Sequence, residues 1–182
     1  MIFTETHLPG AYLIDVERLE DHRGFFARTF CQNEFRAHGL EPVVAQASIA
    51  YNHKAGTMRG LHYQVPPAGE AKLVRCTRGV IWDVIVDLRP SSPAHLHHVA
   101  VELSADNRRA LYVPPLFAHG YVTITDDTEI TYQMSELYSP EHERGVHHRS
   151  PVFGIDWPVP VTTISDKDAG LAHYEPSSPI TR

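Results

Sequence analysis

Residues 72–89 read Lys72-Leu73-Val74-Arg75-Cys76-Thr77-Arg78-Gly79-Val80-Ile81-Trp82-Asp83-Val84-Ile85-Val86-Asp87-Leu88-Arg89. Two runs rich in β-branched and apolar residues, Lys72 to Thr77 and Val80 to Arg89, flank one glycine. That composition reads as two strands with Gly79 at a hairpin turn between them. The apolar part of the second run, Val80 to Val86, is interrupted by Asp83 and is far too short to cross a bilayer.

The same punctuation recurs outward. Fourteen prolines and eleven glycines cut the chain into short runs of Val, Ile, Tyr, Phe and Thr. Upstream candidate strands are Ala11 to Glu17, Gly24 to Phe30, Val43 to Tyr51 and Thr57 to Gln64. Downstream they are His97 to Leu103, Arg109 to Val113, Ala118 to Ile124 and Thr128 to Met134, with Asp126-Asp127 separating the last two as Gly79 separates the first pair. Gln32 to His38 predicts one short helix, with Asn33 as N-cap and Gly39 at its end. This rhythm predicts an all-β sandwich or barrel with few short helices. Residues 1–182 are expected to form a single domain, in which Pro158 to Arg182, rich in Pro, Ser and Asp, runs over the surface as loops with a mobile end.

The 42% hydrophobic and 21% charged content argues for a packed core rather than disorder. A net charge of -6, with no dense Lys/Arg cluster, argues against nucleic acid and membrane surfaces as partners. An anionic small molecule remains admissible, because a few placed Arg and Lys suffice. Cys31 and Cys76 make no disulfide framework, and Met1 to His7 lacks the basic start and apolar stretch of a signal peptide. Both points favour a cytoplasmic protein with reduced thiols.

Four segments carry candidate chemistry. In Arg59-Gly60-Leu61-His62-Tyr63-Gln64, simple alternation puts Arg59, Leu61 and Tyr63 on one face and Gly60, His62 and Gln64 on the other, unless a bulge at Gly60 shifts the register. His62 is then either a lumen base or a core histidine satisfied by one hydrogen bond. Lys72 opens a strand, either as a solvated edge lysine or with its ammonium in the pocket. The Pro114-Pro115 turn aims His119 inward, and Tyr132 follows as a proton donor or as a rim aromatic. Ser165-Asp166-Lys167-Asp168 is an ordinary turn or the source of a carboxylate that orients the imidazole.

Together these segments resemble the dTDP-4-dehydrorhamnose 3,5-epimerase family of the cupin superfamily. The resemblance runs from Leu13 to Asp168. It rests on Asp21-His22-Arg23-Gly24-Phe25-Phe26, Gly56-Thr57-Met58-Arg59-Gly60-Leu61-His62-Tyr63-Gln64 and Lys72-Leu73-Val74-Arg75. Further along, Asp83 to Arg89, Ser91-Ser92-Pro93, Phe117-Ala118-His119-Gly120, Tyr138-Ser139-Pro140, Ile155-Asp156-Trp157-Pro158 and Ser165 to Asp168 also match. Each run is weak alone; their order is specific. The resemblance implies a cupin-type jelly-roll antiparallel β-barrel, a homodimer, and no metal or other cofactor. It implies His62 as base, Asp168 as its carboxylate partner, Tyr132 as acid and Lys72 beside the enolate. Arg23, Gln46 and Arg59 align with contacts to the nucleotide diphosphate, and Phe26, Ser48, His119 and Tyr138 with other substrate-binding positions. Ser48, Leu116, Arg28 and Arg149-Ser150-Pro151 depart from the family pattern, all near substrate-binding regions.

The implied reaction inverts C3, C5 or both in a nucleotide-linked 4-keto-6-deoxy sugar, most simply dTDP-4-dehydro-6-deoxyglucose. A carbon acid beside a ketone needs a placed base and a stabilised enolate oxygen, and inversion needs an acid on the opposite face. Two other readings fit an all-β barrel. A metal-dependent cupin gathers several His and a Glu; here Tyr63 and Gln64 stand where a second histidine is expected. A non-catalytic sugar-nucleotide-binding barrel has no need of a base and acid pair.

Overall fold

The computed structural model describes residues 1–176. Its strands are β1 (Ile2–Glu5), β2 (Tyr12–Asp15), β3 (Leu19–Asp21), β4 (Gly24–Phe26), β5 (Gln46–Asn52), β6 (Thr57–Gln64) and β7 (Lys72–Arg78). The others are β8 (Val80–Asp87), β9 (His98–Ser104), β10 (Ala110–Val113), β11 (Phe117–Thr123), β12 (Thr128–Met134), β13 (Glu143–Gly145) and β14 (Thr163–Ile164). Two short helices, α1 (Gln32–Ala37) and α2 (Asp166–Ala169), complete the elements that matter here.

The strands form two principal sheets. The first runs β1-β2-β10-β7-β12-β5; the second runs β13-β6-β11-β8-β9, with β14 added parallel to β6. β3 and β4 form a separate hairpin. The all-β class holds, but the expected closed barrel does not: no strand of one principal sheet pairs with the other among the described residues. The sheets pack face to face on apolar side chains, Val74, Leu111 and Ile130 of the first against Ile81, Ile85 and Phe117 of the second.

The stretch 72–89 explains this layout and corrects its own first reading. β7 pairs with β10 and β12, whereas β8 pairs with β11 and β9. Gly79 is therefore a corner between sheets, not a hairpin turn. It sits at φ 77, and a Cβ there would lie 2.5 Å from the Thr128 hydroxyl and 2.6 Å from that of Thr125. Asp126-Asp127 likewise carries the chain from β11 in one sheet to β12 in the other, with Asp127 at φ 50. Turn residues specify a reversal; packing of the flanking runs decides which sheet receives the strand.

β8 is apolar at nearly every position because both its faces are covered. Ile81 and Ile85 join Val74, Leu111 and Ile130 between the sheets, while Val84, Val86 and Leu88 lie under Phe153 and Tyr174. Each such side chain contributes roughly 1.5–3 kcal/mol by leaving water. On the outer face of the first sheet, Ile14, Leu73 and Tyr112 bury Phe35 of α1. That anchor sets the helix register. The N-cap is Cys31, extended at φ -153, and not Asn33, which lies inside the first turn. The segment from Pro158 is not all loop, since β14 and α2 form within it; the expected mobile end lies outside the described residues.

Candidate active site

The site grows from the β6–β11 ladder. His62 faces His119 and Arg59 faces Tyr121, so β6 carries one more residue than β11 between the two pairs. This is a bulge centred on Gly60. Gly60 has φ 115, and a Cβ there would sit 2.7 Å from both the Gly120 Cα and the His119 carbonyl oxygen. The extra residue overturns simple alternation: Arg59 and His62, three apart, both line one cavity of about 440 Å³. Tyr132, Lys72, His119, Tyr138 and Asp168 line it too.

Asp168 comes from α2, whose N-cap Ser165 accepts the Asp168 amide at 3.1 Å. One carboxylate oxygen stands 2.8 Å from His62 Nε2, and the other accepts the Gly60 N–H at 3.1 Å. The bulge thus serves both ends of the pair, and the ring is held through Nε2, which leaves Nδ1 for another partner. Burial pushes the Asp168 carboxyl up. The hydrogen bond and charge of His62, the Gly60 N–H and Lys167 outweigh it and bring the group below its ordinary range.

Tyr132 reaches the cavity from the opposite sheet. Burial, followed by the neighbouring Tyr121 phenol and Asp83, raises its pKa well above the ordinary phenol value, with Arg59 opposing. The phenol therefore keeps its proton. Its ring stands edge-on to His119 at 6.2 Å, and His119 Nε2 lies 2.8 Å from the buried Asp83 carboxylate. Behind it, Arg59 Nε donates to Asn52 Oδ1 at 2.8 Å, and Asn52 Nδ2 donates to the Tyr121 hydroxyl at 3.2 Å.

Lys72 is paired with Glu70 at 3.0 Å. Lys167 and the Tyr138 hydroxyl both meet Glu143 Oε2, at 2.7 and 2.9 Å. Gln46 and Ser48 share a face of β5 with the cavity-lining Ala50, Ser48 opposite Tyr132 and Gln46 accepting the Tyr138 amide. Arg23 and Phe26 stand apart. They belong to the β3–β4 hairpin, where Arg23 pairs with Asp21 and Phe26 is 69% exposed, outside the cavity lining. Among the departures, Leu116 holds φ 63, a conformation that suits the glycine the family resemblance expects, and Arg28 pairs with Glu34 at the surface.

Sequence reasoning missed Glu70, Glu143, Lys167 and Tyr121 as cavity residues, and Asp83 as the partner of His119. Asp83 alone had a readable signal, a single carboxylate in a run otherwise buried on both faces.

A carboxylate-backed imidazole and a protonated phenol reach one cavity from two sheets, an arrangement chemically able to move protons on and off a bound molecule. The family model for dTDP-4-dehydrorhamnose 3,5-epimerase matches residues 5–175, and the chain belongs to that family of isomerases. A dTDP-4-dehydrorhamnose 3,5-epimerase of Sinorhizobium fredii is 39% identical over 170 residues, 93% of this chain and 87% of that one. The crystal structure of the Elizabethkingia anophelis dTDP-4-dehydrorhamnose 3,5-epimerase superposes with a TM-score of 0.93 at 34% identity, covering 96% of both chains. A 3'-monoepimerase of Streptomyces bikiniensis, solved with dTDP-quinovose, gives 0.84 at 32% identity over 92% of this chain and 85% of that one.

Proposed function

We propose that this enzyme inverts carbon centres beside the ketone of a dTDP-linked 4-keto-6-deoxy sugar. The observation that carries the reading is the shared cavity of the His62–Asp168 pair and Tyr132. His62 removes the proton from the carbon next to the ketone, and the electron pair moves onto the C4 oxygen. Asp168 stabilises the imidazolium that forms, and Lys72 faces the oxygen as it becomes negative. Tyr132 then protonates the carbon from the other face. No net redox change or group transfer occurs, so acid, base and fixed charge account for every step. The ionised ends of the substrate fit Arg59, which is held by the neutral Asn52 side chain and the Tyr51 carbonyl and so keeps its charge available to a diphosphate. Gln46, Ser48, His119 and Tyr138 complete the substrate contacts of this reading.

Support for dTDP comes from the family and from the ligand of the Streptomyces bikiniensis relative. That relative is named a 3'-monoepimerase, so C3 alone and C3 with C5 are both chemistries this architecture supports. The fold reads as a cupin-type jelly roll that stays open at its mouth. A homodimer gives the exposed hairpin a purpose, since one protomer's Arg23 and Phe26 can then reach the cavity of its partner. Free Cys31 and Cys76 fit a cytoplasmic setting. A metal-dependent reading is weaker, because the Nε2 atoms of His62 and His119 each already face an aspartate. The deciding experiment is incubation with dTDP-4-keto-6-deoxyglucose in deuterated water, mapping deuterium at C3 and C5. No incorporation at either carbon would end the proposal.

A further inference from the structure

We propose that Glu70 is the positioning residue for Lys72, fixing its ammonium and reserving it for the sugar ketone; this inference rests on the epimerase reading of the cavity. Lys72 Nζ and Glu70 Oε1 lie 3.0 Å apart, with both side chains nearly buried at 12% and 11% exposure. Both line the cavity that holds His62 and Tyr132. The backbone between them is pinned. The Ala71 amide donates to Ser135 Oγ at 2.8 Å, and the Ser135 amide donates to the Ala71 carbonyl at 3.0 Å. Lys72 itself opens β7, opposite Met134 and Val113. A long, flexible lysine stem is thus tethered at both ends.

The charges of the cavity give the tether a second consequence. Lys167 is matched by Glu143 and Lys72 by Glu70, while Arg59 is held by hydrogen bonds to neutral groups among the described residues. A dianionic diphosphate is therefore drawn to the Arg59 end and not to Lys72. The ketone is neutral until the proton leaves, so a compensated ammonium holds the ground state weakly and acts when charge appears on the oxygen. Without Glu70, the freed ammonium would compete for the diphosphate and draw the sugar out of register with His62.

The test uses the full chain carrying Glu70→Ala, Glu70→Gln, Lys72→Ala and the Glu70→Ala/Lys72→Ala pair. Measurements are kcat and deuterium uptake with dTDP-4-keto-6-deoxyglucose, and the dissociation constant of inorganic pyrophosphate. In Glu70→Ala, kcat falls on the order of 10–100-fold, the scale of a misplaced catalytic group, and pyrophosphate binds several-fold tighter. Glu70→Gln keeps an acceptor for the ammonium but removes its countercharge, so pyrophosphate still binds tighter while kcat falls less than in Glu70→Ala. In the Lys72→Ala background, removing Glu70 costs nothing further. Unchanged kcat in Glu70→Ala, unchanged pyrophosphate affinity in Glu70→Gln, or a full additional loss in the double variant would each overturn the inference. Where Glu70→Ala does not fold, the Glu70→Gln pyrophosphate result decides. Wild-type protein that takes up no deuterium would remove the epimerase reading and this inference with it. Normal wild-type uptake beside an unaffected Glu70→Ala removes this inference alone.

Discussion

His148 should make the fold acid-sensitive in a defined window. Its side chain is 4% exposed, and neither ring nitrogen has a hydrogen-bond partner. Burial, then the positive neighbours His147 and Arg149, lower its pKa to about 4; His173 acts the same way and Asp168 opposes. His147 stacks on it at 4.5 Å, and the Trp157 ring stands edge-on at 6.2 Å. In the unfolded chain the same imidazole titrates near 6.5. Between these two values the unfolded state takes a proton that the folded state refuses. Stability therefore falls as pH drops from about 6.5 to about 4 and levels off below. A gap of about 2.5 pH units at about 1.36 kcal/mol each amounts to about 3 kcal/mol. For a chain of this size that is a Tm change of roughly 6–12 °C. His148→Phe keeps an aromatic ring in the stack and removes the proton site. Its Tm at pH 7 can differ either way through packing, so the quantity to compare is the slope. Melting by circular dichroism from pH 7.5 to 4 should show wild type losing that much more than His148→Phe. Parallel curves would refute the reasoning, since they would mean the imidazole is protonated in place.

The remaining expectations concern the site. His62→Ala should abolish deuterium uptake at the carbon beside the ketone, read by NMR of the recovered sugar nucleotide; substantial exchange would remove His62 from the role of base. Tyr132→Phe should suppress inversion more than exchange, because the enolate can form and collapse back onto the first face; normal turnover would require another donor. Gly60→Ala should cost about 2–5 kcal/mol in urea unfolding, from a strained φ and a Cβ pressed on the Gly120 backbone. The same variant should lower kcat by about 100-fold, since the bulge sets both His62 and the Asp168 clamp; unchanged kcat in a folded protein would show that the bulge does not set the base.

Much of the strand layout was legible because the runs are short, β-branched and well punctuated. β6 and β12 have the bounds that the residues predict. What was not legible was pairing. Gly79 and Asp126-Asp127 mark reversals truly, yet whether a reversal makes a hairpin or a corner depends on which apolar face finds a partner across the core. β1, β3, β13 and β14 were missed because two to four residues carry too little pattern. Simple alternation already turned His62 toward the cavity; only the alternative of a bulge at Gly60 could bring Arg59 there too, since strict period two set it on the other face. Glu70 and Glu143 were silent for a different reason. A carboxylate beside a turn is ordinary until the distance to an ammonium is known.

The two-sheet architecture is itself the argument for inversion over simple exchange. His62 belongs to β6 in one sheet, whereas Tyr132 and Lys72 belong to β12 and β7 in the other. On the proposed mechanism a flat enolate between the sheets would meet His62 on one side and Tyr132 on the other. The burial that keeps the Tyr132 proton in place also strengthens the field of the Lys72 ammonium at the enolate oxygen.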